Sequence, residues 1–246
     1  SGPQAMGDVV LVCDHARNAV PPAIGDLGLP PAEMQRHIAY DVGARGVTLG
    51  LAAQLGAGAV LSTFSRLVID PNRGEDDPTL VMRLYDGTII PANRNAGPEE
   101  AARRLDAYHR PYHRAVAASI DAVEEAGRRP VLVSIHSFTP QLRGRAPRPW
   151  HVGVLWDRDE RLVRPLMDRL GEERDIVSAE NEPYSGQLEG DCMNRHGTRR
   201  GIPHALIEIR NDLIATPDDQ AAWASRLAHI LREAVAGMDP AAPPPA

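Results

Sequence analysis

Residues 9–15 read VVLVCDH, and residues 130–137 read PVLVSIHS. Each is a short run of apolar, mostly β-branched residues that stops at a histidine, a pattern typical of a buried strand. In an open parallel sheet, ligands bind beyond the carboxyl ends of the strands. We therefore expect His15 and His136 at one edge of a sheet, where two imidazoles could share a divalent metal. The alternative is that each histidine only caps its strand by bonding to the backbone.

The rest of the chain alternates strand-like and helix-like runs, which favours a layered α/β sheet. Further strands are expected at residues 59–64, 150–155, 176–178 and 204–209, and helices at 37–55, 98–126, 160–170 and 217–235, with a kink or restart at Pro111. We expect a single domain over residues 8–236, followed by a disordered Pro- and Ala-rich tail at 237–246.

The composition narrows the classes of function. Of 246 residues, 43% are hydrophobic and only 4% aromatic, so the core must consist of Ala, Val, Leu and Ile. The net charge of −6 argues against a general nucleic-acid binder, although a local arginine pocket for a small anion remains compatible with it. Two cysteines without a disulfide or four-cysteine zinc pattern favour a cytoplasmic protein. There is no signal-peptide pattern, and no apolar stretch approaches the roughly 20 residues of a membrane span.

A hydrolytic zinc site usually has three protein ligands and one position for water. Beside His15 and His136, the preferred third ligand is Asp41, four residues after the start of the predicted first helix. Asn18 and Asp14 are alternatives. A neutral amide is a poor zinc ligand, and Asp14 should point away from its neighbour His15 in an extended strand. Asp41 could instead be a helix cap or a surface charge.

Residues 65–73, SRLVIDPNR, place Arg66, Asn72 and Arg73 around a short apolar run. A guanidinium can hold a carboxylate by two parallel bonds, and an amide can add a third, so these residues are candidates for binding an acidic, amino-acid-like substrate. The alternative is a surface loop with ordinary ion pairs. Arg145 lies in a Gly-containing basic segment that we expect to close over the same anion.

Glu208 interrupts the apolar run at residues 206–209. A carboxylate there is costly without a partner or a function. Beside a metal and its water it could act as general base and then protonate the leaving amine. The alternative is an ion pair with Arg210 or another arginine.

His109 and His113 have the four-residue spacing of a helical metal pair. Pro111 lies between them, and no glutamate follows the first histidine. We therefore expect His113 to contact substrate or to support the site rather than to ligate the metal.

Taken together, these motifs resemble the N-formylglutamate amidohydrolase family. The resemblance extends from about residue 8 to 236 and is carried, in order, by residues 13–22, 37–44, 65–73, 108–113, 135–137 and 208–210. The family is similar to zinc-dependent exopeptidases, which implies a three-layer α/β sandwich with a central mixed, mostly parallel sheet flanked by helices. It also implies that Asn72 and Arg73 hold the substrate carboxylate and that Glu208 is the base. The exopeptidases have a glutamate three residues after the first histidine, and this chain has Asn18 there.

The expected function is therefore zinc-dependent hydrolysis of a small anionic N-acyl amino acid, with one Zn²⁺ and N-formylglutamate as the best substrate, giving formate and glutamate. Two alternatives remain: a metal-dependent hydrolase of a peptide or another N-acyl compound, and a non-catalytic binding protein on the same fold. No nucleic-acid or membrane partner is expected.

Overall fold

A computed structural model describes residues 6–239 and folds them around a six-stranded sheet. The strands are β1 (Val9–Cys13), β2 (Gly58–Leu61), β3 (Leu84–Tyr85), β4 (Thr88–Ile89), β5 (Val131–Phe138), β6 (Val152–Leu155), β7 (Ser178–Glu180) and β8 (His204–Arg210). The sheet order is β2-β1-β5-β8-β6-β7, while β3 and β4 form a separate antiparallel pair. Only the β6–β8 pairing within the main sheet is antiparallel. The predicted mixed, mostly parallel sheet is confirmed.

Helices cover both faces of this sheet. They are α1 (Ala44–Leu55), α2 (Pro91–Arg94), α3 (Pro98–Arg104), α4 (Arg110–Glu125), α5 (Val163–Glu172), α6 (Cys192–His196) and α7 (Pro217–Gly237). Alternate residues of a strand point to opposite faces, and β1 follows this rule. Leu11 packs in the core with α1, α5 and α7, whereas Val10 packs in the core with α4 and α6. The sheet and the helices on its two faces therefore form the three layers expected of an α/β sandwich.

Some predicted boundaries are wrong. The first helix begins at Ala44 rather than at residue 37, because Gly43 adopts a left-handed conformation (φ 84°) that ends the preceding loop. Strand β2 ends at Leu61 rather than at residue 64. The predicted restart at Pro111 is confirmed, since α4 begins at Arg110 and Pro111 occupies its first turn, where a missing N–H costs nothing. The irregularity lies earlier, in a π-helical turn at Leu105–His109.

The other predicted helices and strands lie within a few residues of their expected bounds, whereas β3, β4, α2 and α6 were not predicted. The proposed tail at 240–246 lies outside the described residues. None of the helices within residues 6–239 combines the length and apolarity that crossing a bilayer requires.

Strand order and register bring the chemistry-bearing residues to one edge of the sheet. β1, β5 and β8 are adjacent and parallel, so their carboxyl ends meet there. His136 on β5 is directly opposite Glu208 on β8, and Gly153 of β6 faces Glu208 from the other side. His15 follows the end of β1 by two residues. The predicted sheet-edge site therefore exists as a spatial cluster.

Candidate metal centre and cavity

His15, Asp41 and His136 converge beyond the ends of β1 and β5. All three are at most 3% exposed, and one ligand atom from each lies within 4.8 Å of the others. Oδ2 of Asp41 is 2.8 Å from Nδ1 of His136 and 3.3 Å from Nδ1 of His15. Asn18 is turned away and donates to the Met34 carbonyl. The geometry favours the trio preferred from sequence over the amide alternative.

Asp41 reaches the centre from a loop rather than from a helix. Its backbone N–H donates to the His15 carbonyl at 3.0 Å, which joins the loop to the end of β1. The Ser65 hydroxyl donates to the Ala39 carbonyl and anchors the same loop from its other side. A Cβ at Gly43 would lie 2.3 Å from the Ile214 carbonyl oxygen, so only glycine allows this close approach. These contacts fix the carboxylate between the two imidazoles.

The outer nitrogen of His15 is held by Asp70. Nε2 of His15 lies 2.7 Å from Oδ1 of Asp70, and Arg66 donates to Oδ2 of the same carboxylate from Nε and Nη2 at 3.1 and 2.7 Å. Burial by itself would raise the pKa of Asp70, but Arg66 and His15 outweigh burial and hold this pKa well below its usual range. Asp70 is therefore a charged acceptor for the His15 N–H.

The outer nitrogen of His136 is held in the same way by Asp14. The Nε2 to Oδ2 distance is 2.8 Å, and the hydroxyls of Tyr112 and Ser134 donate to the same carboxylate. Burial opposes ionisation of Asp14, yet His136, followed by His15 and the Cys192 thiol, keeps its pKa below the usual range. Asp14, weighed above as a third ligand, is instead placed as the support of a ligand.

These supports fix which ring nitrogens face the centre. When Nε2–H of each histidine donates to its carboxylate, each Nδ1 presents a lone pair toward Asp41. Two lone pairs and a carboxylate then face one another, an arrangement that suits a cation. Asp14 and Asp41 raise the pKa of His136 well above its usual value, although burial opposes this. A proton and a divalent metal therefore compete for Nδ1 of His136. Carboxylate-supported imidazoles with a third, oxygen ligand suit zinc and related divalent ions, so the residues fit a metal.

Glu208 faces this centre with a free carboxylate oxygen. It is 6% exposed, and its Oε2 is buried without a hydrogen-bond partner. Burial, reinforced by Asp41 and opposed by His136, raises the pKa of Glu208 to about 7. The alternative ion pair with Arg210 is not present, since that arginine pairs with Asp212 at 2.8 Å. Glu208 can therefore exchange a proton near neutral pH, as a general base must.

A cavity of about 250 Å³ opens over the centre. Its walls include the two histidines, Asp41 and Glu208, together with Arg66, Asn72, Arg73, His37, Tyr85, Trp156, Tyr184, Leu155, Met193 and Asp191. The cavity is thus lined by polar side chains together with apolar and aromatic ones. This combination is typical of a site for a small polar ligand.

The three residues predicted to bind carboxylate line this cavity, although all three are partly engaged. Oδ1 of Asn72 accepts a hydrogen bond from the backbone N–H of Cys192 at 3.1 Å. Arg66 uses two of its nitrogens on Asp70, and its Nη1 lies 3.8 Å from Asp41. Arg73 donates from Nε to Thr79 and from Nη1 to the Asn72 carbonyl. Its Nη2 has no hydrogen-bond partner among residues 6–239. Arg73 therefore retains a donor for a ligand.

The other two predicted substrate contacts are not among the residues that line the cavity. Arg145 lies on an exposed loop, where its backbone N–H donates to the Leu142 carbonyl. His113 is buried beside His109 and His196. Their roles in substrate binding remain predictions that this geometry does not favour.

Sequence reasoning missed the supporting role of Asp70 and the cavity walls at Trp156, Tyr184 and Asp191. The signal for Asp70 was available, because an aspartate that ends an apolar run before a proline is an unusual place for a charge. The walls had no such signal, since they come from loops whose path depends on the whole fold.

The sequence model of the N-formylglutamate amidohydrolase family matches residues 7–215, which include every residue of the candidate centre. The chain belongs to the N-formylglutamate amidohydrolase family. As a member, it is a hydrolase. The N-formylglutamate amidohydrolase of Ralstonia eutropha JMP134 shares the fold, with a TM-score of 0.63 and 24% identity over 94% of this chain and 96% of that one.

A second solved structure, that of a gene product of Agrobacterium tumefaciens, is 36% identical in sequence to this chain. It has a TM-score of 0.88 and covers 94% of this chain and 91% of its own. No curated protein matches the chain. The resemblance identified from the motifs is confirmed by the family match.

Proposed function

We propose that this protein is a metal-dependent amidohydrolase that cleaves a small N-acyl amino acid, with N-formylglutamate as substrate and formate and glutamate as products. One observation carries the proposal: Nδ1 of His15 and Nδ1 of His136 both face Asp41, beside a carboxylate, Glu208, whose Oε2 has no partner. Family membership supports the reaction, and the arrangement of side chains supports the dependence on metal.

His15, Asp41 and His136 would hold the metal, with Zn²⁺ the expected ion. A divalent ion bound there supplies a Lewis acid for the acyl oxygen and lowers the pKa of water near it. Asp14 and Asp70 keep the two imidazoles in the tautomer that ligation requires. The two imidazoles are therefore oriented for metal binding before any ligand binds.

Glu208 would carry the proton. Its carboxylate takes a proton from the attacking water as the C–O bond forms at the acyl carbon. It then delivers that proton to the departing nitrogen as the C–N bond breaks, so the products are a carboxylic acid and a free amine. Burial raises the pKa of Glu208 above its ordinary value, and a metal held beside it would lower that pKa again.

Arg73 and Asn72 would orient the substrate carboxylates, with Nη1 of Arg66 closer to the centre. Charge-assisted hydrogen bonds from guanidinium groups are strong and directional, which suits an anionic amino acid. The small cavity and its aromatic walls favour a short acyl group over a long peptide.

The test is formate release from N-formylglutamate by the parent, by Glu208→Gln and by Glu189→Gln. Glu189 is an exposed glutamate whose side chain is 89% accessible, so it serves as the matched control. We expect Glu208→Gln to lower kcat by about 10²- to 10⁴-fold. Binding of N-formylglutamate, followed by calorimetry, should remain within a few-fold of the parent, and Glu189→Gln should behave as the parent.

Two results would contradict the proposal. If Glu208→Gln keeps the parent's kcat, Glu208 is not the base. If the metal-loaded parent binds N-formylglutamate or another N-acyl amino acid but cleaves none, the protein is a binding protein on a hydrolase fold.

A further inference from the structure

A second cluster of metal-binding side chains lies behind the first. It consists of His113 on α4 and Cys192 and His196 on α6. All three are buried, and one ligand atom from each lies within 4.8 Å of the others. None of them is among the residues that line the cavity, and none is shared with the trio around Asp41.

The hydrogen bonding among the side chains of this cluster is incomplete. Nδ1 of His113 lies 2.9 Å from Nε2 of His196, so one of the two donates to the other. Nε2 of His113 is buried and has no partner among residues 6–239. Whichever tautomer His113 adopts, one ring nitrogen stays unsatisfied, and such a buried group destabilises the fold.

Charges of both signs surround the cluster. The Cys192 thiol donates to the Asp14 carboxylate, and Asp191 is the residue immediately before it. Arg195 and Arg200 are the nearby cations, and acidic side chains pair with both: Glu75 with Arg195 at 3.5 Å, and Asp121 with Arg200 at 2.7 Å. Nδ1 of His109 is likewise buried without a partner among residues 6–239, and its ring lies 4.4 Å from that of His113, so His109 offers a third imidazole.

We propose that Cys192, His113 and His196 form a second, structural metal site for a borderline-soft divalent ion such as Zn²⁺. A thiolate with imidazole nitrogens is a donor set that zinc prefers, and a closed site that no substrate reaches is typical of a structural ion. The ion would join the short helix α6 to α4. Binding releases the thiol proton, which leaves Cys192 as a thiolate ligand.

Cobalt substitution tests this site without measuring activity. The chain has two cysteines, and the trio around Asp41 contains no sulfur, so a thiolate-to-cobalt charge-transfer band reports the second site. We expect the parent to bind two Co²⁺ per chain and to show this band. Cys192→Ala should bind one and lose the band. Cys13→Ala, which changes the other buried cysteine, should keep both.

His136→Ala separates this proposal from the proposed function. It should lose the ion of the first centre and keep the charge-transfer band. A parent that binds a single Co²⁺ without the band would overturn the second site and leave the proposed function standing.

Should Cys192→Ala fail to fold, X-ray absorption on the zinc-loaded parent decides the question. A sulfur atom in the zinc coordination shell supports the site. A shell of nitrogen and oxygen alone overturns it.

Discussion

Nε2 of His15 lies 2.7 Å from Oδ1 of Asp70, whose other oxygen is bound by two nitrogens of Arg66. The imidazole is therefore fixed in orientation and tautomer from outside the centre, and its Nδ1 is left for a ligand. The segment at residues 65–73 thus contributes to the metal centre and to the cavity wall at once.

Asp70→Asn should weaken metal binding. The amide keeps the shape of the carboxylate but loses its charge, so the His15 N–H is held less strongly and the tautomer is less fixed. We expect the affinity for Zn²⁺, measured by competition with a chelator, to fall about 10- to 100-fold.

Asp159→Asn is the matched control, because Asp159 is also a buried aspartate with a two-point bond to an arginine, Arg161. Asp159→Asn should lower the thermal stability of the protein and leave its affinity for Zn²⁺ unchanged. Equal metal affinity in the parent and Asp70→Asn would refute the role given to Asp70.

Glu208→Gln should change how stability depends on pH in the metal-free protein. Burial raises the pKa of Glu208 from 4.5 to about 7, so the folded state holds a proton that the unfolded state releases between these values. The parent therefore loses stability as pH rises from about 4.5 to about 7, by an amount on the order of 3 kcal/mol. Glutamine does not ionise, so the stability of Glu208→Gln lacks this dependence on pH.

Urea unfolding at several pH values measures this effect. The free energy of unfolding of Glu208→Gln, relative to the parent, should increase across that pH window. Parallel curves for the two proteins would contradict a raised pKa. Glu189→Gln, which alters an exposed glutamate, should run parallel to the parent.

Arg73→Ala should raise KM for N-formylglutamate more than it lowers kcat. Arg73 lines the cavity with a free Nη2, and losing one charge-assisted contact to a substrate carboxylate corresponds to about a 10- to 100-fold change. Arg145→Ala is the comparison, since both arginines were candidates from sequence but only Arg73 lines the cavity. Steady-state kinetics that show the larger loss for Arg145→Ala would reverse this assignment.

The sheet and the histidines at its edge were predictable because they depend on local patterns. Apolar runs ending at His15 and His136 indicate strands whose carboxyl ends meet, and the fold follows that rule. Glu208 was predictable for a similar reason, since a carboxylate in an apolar run is costly without a purpose.

Other parts of the site depend on long-range geometry that a single sequence does not encode locally. Asp41 was expected at a helix start, yet Gly43 delays the helix and places it in a loop. The sequence around His113 does not distinguish a contact with substrate from the position that the structure shows, beside Cys192 and His196. Only packing of α4 against α6 distinguishes the two.

The most direct test measures metal content and formate release together, for the parent, His136→Ala and His229→Ala, each purified without added metal. His229 is an exposed histidine and serves as the control. We predict that the parent and His229→Ala contain metal and release formate from N-formylglutamate, and that chelation abolishes this activity until Zn²⁺ is restored. His136→Ala should contain one metal ion fewer per chain and release no formate. Undiminished formate release by His136→Ala, or by the chelated parent, would contradict the account.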